Sequence, residues 1–243
     1  MTDPKIDRRN LLAAGAMMTV GAAALASTDA VAQTPAAAVG PAGRAFAPQP
    51  IALPFDPKAI AGLSERLLVS HHDNNYVGAV KRLGAITTQF ASLDAAKAPG
   101  FTVNGLKREE LIAWNSMILH ELYFAGLGAA SQPGRPLAQA IERDFGSHDR
   151  WVAEFAGMGK ALGGGSGWVL LQWSHRDNRL TNQWASDHTA TLAGATPILA
   201  LDMYEHAYAM DFGAKAGDYV DTFMRSIAWG NADRLAARLD ARA

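Results

Sequence analysis

The chain has 243 residues, a formal net charge of −1 and a hydrophobic content of 49%. This composition supports a buried core of one large domain or two small ones, and the balanced charge argues against a nucleic-acid-binding surface or an anionic-membrane patch. The chain has no Cys, which excludes disulfides, thiolate metal sites and cysteine nucleophiles. His and carboxylate side chains remain as the strong metal ligands.

The first 32 residues have the pattern of an export signal. Arg8 and Arg9 stand directly before an apolar run, residues 11–26, and the Ala-Val-Ala sequence at 30–32 supplies the small residues that a signal peptidase requires. Paired arginines are typical of the twin-arginine route, which exports folded proteins that have already acquired a metal. The run is shorter than the ~20 apolar residues of a membrane span. We therefore expect cleavage after Ala32, no stable membrane insertion and a periplasmic mature protein.

A proline-rich lead and two helices are predicted next. Residues 33–52 contain four prolines and few large apolar side chains, which predicts a flexible lead. Over 59–93 apolar residues recur at helical spacing, with Ser64 at the predicted helix start, and a second helix is predicted over roughly 107–127. These helices form a predicted N-terminal subdomain, residues 53–131.

The second half of the chain predicts helices and short strands. Pro and Gly are concentrated at 131–136, which forbids a continuous helix and marks the boundary of a C-terminal subdomain, 132–243. The pattern then predicts helices over 137–145 and 151–162, strands over 167–173, 180–184 and 197–201, and helices over 202–212 and 219–237. The predicted fold class is therefore α+β, with a two-helix hairpin ahead of an α/β subdomain.

One stretch offers metal ligands at converging positions. Asp202 follows a predicted buried strand and His206 comes one helical turn later, so the two side chains can face one point. An Asp that caps the next helix, with a His packed beside it, gives the same spacing without a metal. This spacing alone leaves both interpretations open.

Several segments resemble motifs of the iron/manganese superoxide dismutases, and they occur in the order of that family. Residues 202–208, DMYEHAY, resemble its Asp-x-Trp-Glu-His-Ala-Tyr signature, with Tyr204 in place of Trp. The other matches are LPFD at 53–56, Leu63-Ser64 with the His71-His72 pair, HELYF at 120–124 and GSGW at 165–168. The resemblance extends over roughly residues 53–235, and the chain is identified as a member of this family.

The resemblance implies a fold, a ligand set and a reaction. The family has a two-helix N-terminal subdomain and an α/β subdomain with a small three-stranded antiparallel sheet. One iron or manganese ion per subunit is expected to bind His71 and His120 from the first subdomain and Asp202 and His206 from the second. The implied reaction converts superoxide, the substrate, to oxygen and hydrogen peroxide. Glu205 matches a residue that contacts the partner subunit's ligand histidine, so the resemblance also implies a homodimer.

The chain departs from the family's pattern around the expected metal. Ser116 stands where the iron type has a glutamine that bonds the metal's solvent molecule. The corresponding position of the manganese type falls at 187–188, so His188 is the candidate for that hydrogen bond. Trp168 is retained, and it is assigned to the catalytic site together with His188. The choice between iron and manganese stays open.

The expected substrate channel also differs from that of the family. Asn75, Ala79 and Ala209 occupy its gateway positions in an ungapped alignment, which predicts a wider channel. In a regular α-helix, at roughly 100° per residue, Tyr76 lies about 140° from His71. Tyr76 is therefore not expected to serve as the gateway tyrosine.

Two other functions fit parts of the pattern. A metal-binding protein with the dismutase fold and ligands but little or no turnover is consistent with the altered channel, and an activity assay on metal-loaded protein separates it from an enzyme. A mononuclear iron oxygenase or hydrolase uses two His and one carboxylate, whereas here three His occur in the dismutase order.

Overall fold

The computed structural model describes residues 46–240, so the predicted signal sequence, 1–32, lies outside the described residues. Within the described residues, no helix is both long and apolar enough to span a membrane. The fold class is α+β, as predicted, with helices ahead of a three-stranded antiparallel sheet. Further helices follow the last strand.

The elements follow one another in chain order. They are α1 (Glu65–Ser70), a π-helix (His71–Tyr76), α2 (Val77–Ala91), α3 (Gly100–Ala125), α4 (Arg135–Phe145), α5 (His148–Ala161), β1 (Trp168–Ser174), β2 (Arg179–Ala185), β3 (Ala195–Asp202), a 3₁₀-helix (Glu205–Ala207), α6 (Ala209–Phe212), α7 (Ala216–Arg225) and α8 (Gly230–Asp240). The three predicted strands are thus confirmed to within two residues at each end.

The first helical run begins at Ser64, as predicted. Its Oγ accepts a hydrogen bond from the backbone N–H of Leu67 at 3.0 Å, the usual N-cap contact. Ser64 is held in turn by Asp211, whose two oxygens accept from its backbone N–H and its hydroxyl, both at 2.7 Å. The run continues to Ala91 and packs against α3, which begins earlier than the predicted residue 107.

A regular α-helix was predicted through residues 71–76, and that prediction is wrong. The backbone N–H of Val77 donates to the carbonyl of His72, five residues earlier, as in a π-helix. Two side chains of this segment are tied to the backbone of Ile51: its N–H donates to the Tyr76 hydroxyl at 2.9 Å, and its carbonyl accepts from His72 Nε2 at 2.8 Å. These contacts join residues that are far apart in the sequence, so the helical spacing of apolar residues does not predict them.

Residues 46–52, the last part of the predicted flexible lead, contact the helical hairpin. The ring of Phe46 stacks on Trp114 with centroids 4.9 Å apart. The carbonyl of Phe46 also accepts a hydrogen bond from Thr87 Oγ1 at 2.9 Å. With the two hydrogen bonds of Ile51, these contacts fasten this stretch across α2, α3 and the π-helix.

The sheet has the order β2-β1-β3, with both pairs antiparallel. β1 is central, and every one of its residues is buried, which explains its continuous apolar run. The pairing of β1 with β3 places Trp168 opposite Asp202. The sheet therefore brings the start of β1 and the end of β3 to one place.

Two helix predictions in the C-terminal part are wrong. The predicted helix over 202–212 is the end of β3, a 3₁₀-helix and the short α6, and the predicted helix over 219–237 is α7 and α8. The interruption lies where Ile227 forms an isolated antiparallel bridge with Leu127, which holds the chain extended between the helices. Ile227 is buried, so its apolar character continued the helical pattern across the break.

Gly167 adopts a conformation that other residues avoid, directly before β1. Its φ is +136°, and a Cβ there would lie 2.2 Å from the carbonyl oxygen of Ala185. Gly164 has φ +82°, but a Cβ there would meet nothing within 4 Å. An added Cβ would therefore cause backbone strain at both positions but a steric clash only at Gly167.

Gly167→Ala should lower the free energy of unfolding by about 3 kcal/mol or more, because strain and a backbone clash combine. Gly164→Ala, the matched control, should lower it by only about 1–2 kcal/mol, since strain acts alone. Urea unfolding of both metal-free variants, followed by circular dichroism, measures the difference. Equal midpoints for the two variants would show that the close approach at Gly167 is relieved without cost.

Candidate metal centre

Four side chains from four elements meet at one point. They are His71 at the start of the π-helix, His120 on α3, Asp202 at the end of β3 and His206 in the 3₁₀-helix. Each offers one ligand atom, and these atoms all lie within 4.8 Å of one another. We call these four residues the ligand cluster. The structure brings together all four residues that the sequence suggested.

The carboxylate of Asp202 is the centre of the ligand cluster. Its Oδ2 lies 3.1 Å from His71 Nε2, 3.2 Å from His206 Nε2 and 3.6 Å from His120 Nε2. Its Oδ1 accepts a hydrogen bond from the backbone N–H of Tyr204 at 2.8 Å. His71, His120 and Asp202 are buried, whereas the side chain of His206 is 25% exposed. The cluster therefore opens to the surface on the side of His206.

The environment favours neutral imidazoles at His71 and His120 and an ionised carboxylate at Asp202. Burial lowers the pKa of His120 to about 3, with His71 acting in the same direction and Asp202 opposing. Burial also lowers the pKa of His71, and the hydrogen bond that His71 Nε2 makes to the Asp202 carboxylate opposes this effect. Burial alone raises the pKa of Asp202, but the hydrogen bonds and charges of His206 and His71 outweigh it and hold this pKa far below its usual range. Metal ligands require these states.

The orientation of His120 tests whether these residues fit a cation. Its Nδ1 lies 2.6 Å from the carbonyl of Ser116, which can only accept, so Nδ1 carries the proton. Nε2 then presents a lone pair to Asp202, and it has no hydrogen-bond partner among residues 46–240. Two electron-pair donors that face each other in a buried site are stabilised by a cation between them. The ligand cluster therefore fits a metal ion.

Comparisons with known proteins agree with this geometry. The family model for the C-terminal domain of iron/manganese superoxide dismutases matches residues 133–235. An iron superoxide dismutase of Cupriavidus metallidurans is 67% identical over 177 residues, which cover 73% of this chain and 90% of that protein. A manganese superoxide dismutase of Haloferax volcanii is 33% identical over 192 residues, covering 77% of this chain and 93% of that protein.

The chain belongs to the iron/manganese superoxide dismutase family. The match at 67% identity includes most of both sequences, so membership does not depend on the short motifs alone. Some relatives in these comparisons are named for iron and others for manganese. A further iron-type relative is the superoxide dismutase of Aquifex pyrophilus, which is 30% identical over 71% of this chain and 84% of its own length. The family is one of oxidoreductases.

Aromatic side chains enclose the ligand cluster of this dismutase-family chain on its buried side. The rings of Tyr123 and Phe124 each lie 5.0 Å from the ring of His71. His71 Nδ1 has no hydrogen-bond partner within the described residues, so packing and the contact of Nε2 with Asp202 hold this ring. The hydroxyl of Tyr219 donates to the backbone carbonyl of Asp202 at 2.8 Å. This bond fixes the end of β3 where the carboxylate emerges.

His188 and Trp168 lie beside the ligand cluster. The indole Nε1–H of Trp168 donates to His188 Nδ1 at 3.0 Å. Because an indole can only donate, neutral His188 carries its proton on Nε2. The His188 ring lies 6.2 Å from the ring of His120, and burial lowers the pKa of His188 against the opposing charge of Asp202. His188 is thus a neutral donor next to the cluster.

Two further residues hold His188, and neither has this role among the predictions made from the sequence. The ring of Tyr204 lies between those of His188 and His206, at 4.8 and 5.4 Å, and is inclined by 14° to each. Asn115 Nδ2 donates to the backbone carbonyl of His188 at 2.6 Å. Tyr204 was noted only as a replacement for Trp, and no sequence signal pointed to Asn115.

The other positions named from the sequence lie around the cluster. Ser116 is buried, and its Oγ is 3.4 Å from His120 Nδ1. Ala79 is buried, whereas Ala209 and Glu205 are exposed. Asn75 is half-buried in the π-helix.

Tyr76 is buried, but its hydroxyl is engaged away from the ligand cluster. It donates to Glu121 Oε1 at 3.0 Å and accepts from the backbone N–H of Ile51 at 2.9 Å. The regular-helix geometry used to place this side chain was wrong. Even so, both hydrogen bonds join Tyr76 to groups outside the cluster.

Tyr76→Phe should therefore lower the free energy of unfolding by about 1–2 kcal/mol, since two hydrogen bonds are lost. Metal content and the rate of superoxide decay in stopped-flow measurements should stay at the wild-type values. A several-fold change in the decay rate would place Tyr76 in the proton path of the reaction.

Proposed function

We propose that this chain is a superoxide dismutase that holds one iron or manganese ion through His71, His120, Asp202 and His206. The observation that carries the proposal is the lone pair of His120 Nε2, which faces the Asp202 carboxylate without a hydrogen-bond partner among the described residues. Membership of the family supports the choice of reaction. Two superoxide ions and two protons give oxygen and hydrogen peroxide.

Different residues of the chain have different roles in this reaction. A bound iron or manganese ion supplies the one-electron redox couple between two superoxide ions. The single carboxylate among the four ligands supplies one negative charge to offset the charge of the cation. The exposed edge of His206 marks the side from which a small anion reaches the ligand cluster. Tyr123 and Phe124 exclude water from the opposite side.

His188 is proposed to hold a proton beside the reacting oxygen. Its Nε2–H is free to donate, because Trp168 fixes Nδ1 as the acceptor. Tyr204 stacks on both the His188 ring and the His206 ring, inclined by 14° to each, and so restricts the orientation of His188. Such outer contacts tune a metal site through the hydrogen bonds of its solvent molecule. His188 is therefore assigned the role that glutamine has in the family, and Trp168 orients it.

We also propose that the protein is a homodimer in the periplasm. Glu205 supports the first part, because its side chain is exposed and that side chain makes no hydrogen bond or ion pair within residues 46–240. It is therefore available to a ligand histidine of a second copy. The pair Arg8-Arg9 ahead of the apolar run supports the second part.

Asp202→Ala should remove the metal and lower superoxide dismutation at least ~100-fold, because the central carboxylate of the ligand cluster is lost. Asp177→Ala is the matched control, since this carboxylate lies in a turn and bonds Ser174 Oγ. Metal analysis and stopped-flow superoxide decay test both variants. Full metal content and activity in Asp202→Ala would refute the ligand assignment. A wild-type protein that binds metal without turnover would instead be a metal-binding relative of the enzymes.

His188→Ala should keep one metal ion per chain but change the turnover rate by about 10–100-fold and alter its pH profile. The reason is that the cluster keeps all four ligands while losing the neighbouring donor. His175→Ala is the control, because this ring bonds Thr196 Oγ1 in a distant turn. Wild-type kinetics in His188→Ala would leave this side chain with a packing role only.

Replacing both Arg8 and Arg9 by Lys should retain the protein in the cytoplasm, because the export route reads the arginine pair. Fractionation of cells that produce the wild-type and the doubly substituted chain measures this directly. Equal periplasmic recovery of the two chains would contradict export by the twin-arginine route.

A further inference from the structure

A cavity lies beside the π-helix that carries His71. Its volume is about 370 Å³, within the range of small-molecule sites. Four parts of the chain enclose it: residues 51–54, the π-helix, α3 and α8. The cavity is separate from the ligand cluster, since none of the four cluster residues lines it.

Most of the cavity wall is apolar. Ile51, Leu53, Ile118, Leu122 and Leu235 contribute aliphatic surface from three different segments. Ile51 and Ile118 are exposed apolar side chains, 56% and 37% exposed, so this surface stays open to solvent. A ligand with an apolar body would remove that surface from water.

The acidic group of the cavity is Glu121. One of its oxygens accepts from the Tyr76 hydroxyl at 3.0 Å. No cationic side chain of residues 46–240 lies within 4.0 Å of its carboxylate. A half-buried carboxylate without a cation is costly, and a bound cationic group would stabilise it.

The basic group at the cavity rim is Arg234. Its guanidinium donates to the side chain of Asn231 at 2.7 Å, and no carboxylate of the described residues lies within ion-pair distance. Arg234 and Glu121 line the same cavity without pairing with each other. Opposite charges separated by an apolar cavity are complementary to a molecule that carries both charges.

We propose that this cavity binds a small zwitterion with an apolar body, such as an aromatic or aliphatic amino acid. The ammonium group pairs with Glu121, the carboxylate pairs with Arg234, and the apolar body lies against Ile118, Leu122 and Leu235. Binding is non-covalent, and it stands independently of the proposed dismutase activity.

Three probes with one apolar body test the two charges separately. L-phenylalanine carries both groups, phenethylamine lacks the carboxylate, and 3-phenylpropionate lacks the ammonium. Calorimetric titration of the full, metal-loaded chain should give saturable binding of L-phenylalanine. Each single-charge probe should bind at least ~10-fold more weakly, since one charge-assisted contact is lost.

Two variants assign the charges to residues. In Glu121→Gln, which keeps an acceptor for Tyr76, L-phenylalanine should bind no more tightly than 3-phenylpropionate. In Arg234→Gln, it should bind no more tightly than phenethylamine. Glu110→Gln is the control, because this carboxylate lies on α3 outside the cavity and pairs with Lys107. Metal content and melting temperature verify that each variant is folded.

Several outcomes overturn the proposal. They are the absence of saturable binding of L-phenylalanine up to ~10 mM, equal affinities for the three probes, or wild-type discrimination in both charge variants. Arg234 is exposed, so its variant remains informative if Glu121→Gln fails to fold.

Discussion

The buried carboxylate of Asp202 is the constraint on which the rest of the structure depends. A buried charge needs compensating partners. Three imidazoles and the backbone N–H of Tyr204 surround this carboxylate, and the hydroxyl of Tyr219 donates to the backbone carbonyl of Asp202. Hydrogen bonding satisfies most of these groups. Among the nitrogens that face the carboxylate, the exception is Nε2 of His120, an acceptor that faces an acceptor. A cation between these two acceptors removes their repulsion, so the arrangement of these side chains fits a metal-binding site.

The sheet and the hydrogen bonds around the ligand cluster position the same group of residues. The register of β1 and β3 sets Trp168 opposite Asp202, so the strand pair that buries the carboxylate also aims an indole N–H at His188. Tyr204, two residues beyond Asp202, then links His188 to His206 through stacked rings. A change in sheet register would therefore displace a ligand and the neighbouring donor together.

Local signals predicted much of this arrangement. Ser64 as an N-cap, the strands around Trp168 and Leu199, and the spacing of Asp202 and His206 all follow from residue type and periodicity. The remaining ligands, His71 and His120, were implied only by the resemblance to the dismutase motifs.

Nonlocal contacts explain what the sequence did not show. The π-helix is bonded through His72 and Tyr76 to Ile51, and the break between α7 and α8 depends on a bridge to Leu127. Neither interaction alters the apolar periodicity that helix prediction uses. The cavity with Glu121 and Arg234 likewise exists only because four separate segments converge.

The most direct test of the central claim is anomalous X-ray diffraction from crystals of metal-loaded protein, recorded on both sides of the iron and manganese absorption edges. One strong peak per chain is expected, enclosed by Nε2 of His71, His120 and His206 and Oδ2 of Asp202. A peak at another place in an active, metal-loaded protein, or a ligand cluster without one, would contradict the account.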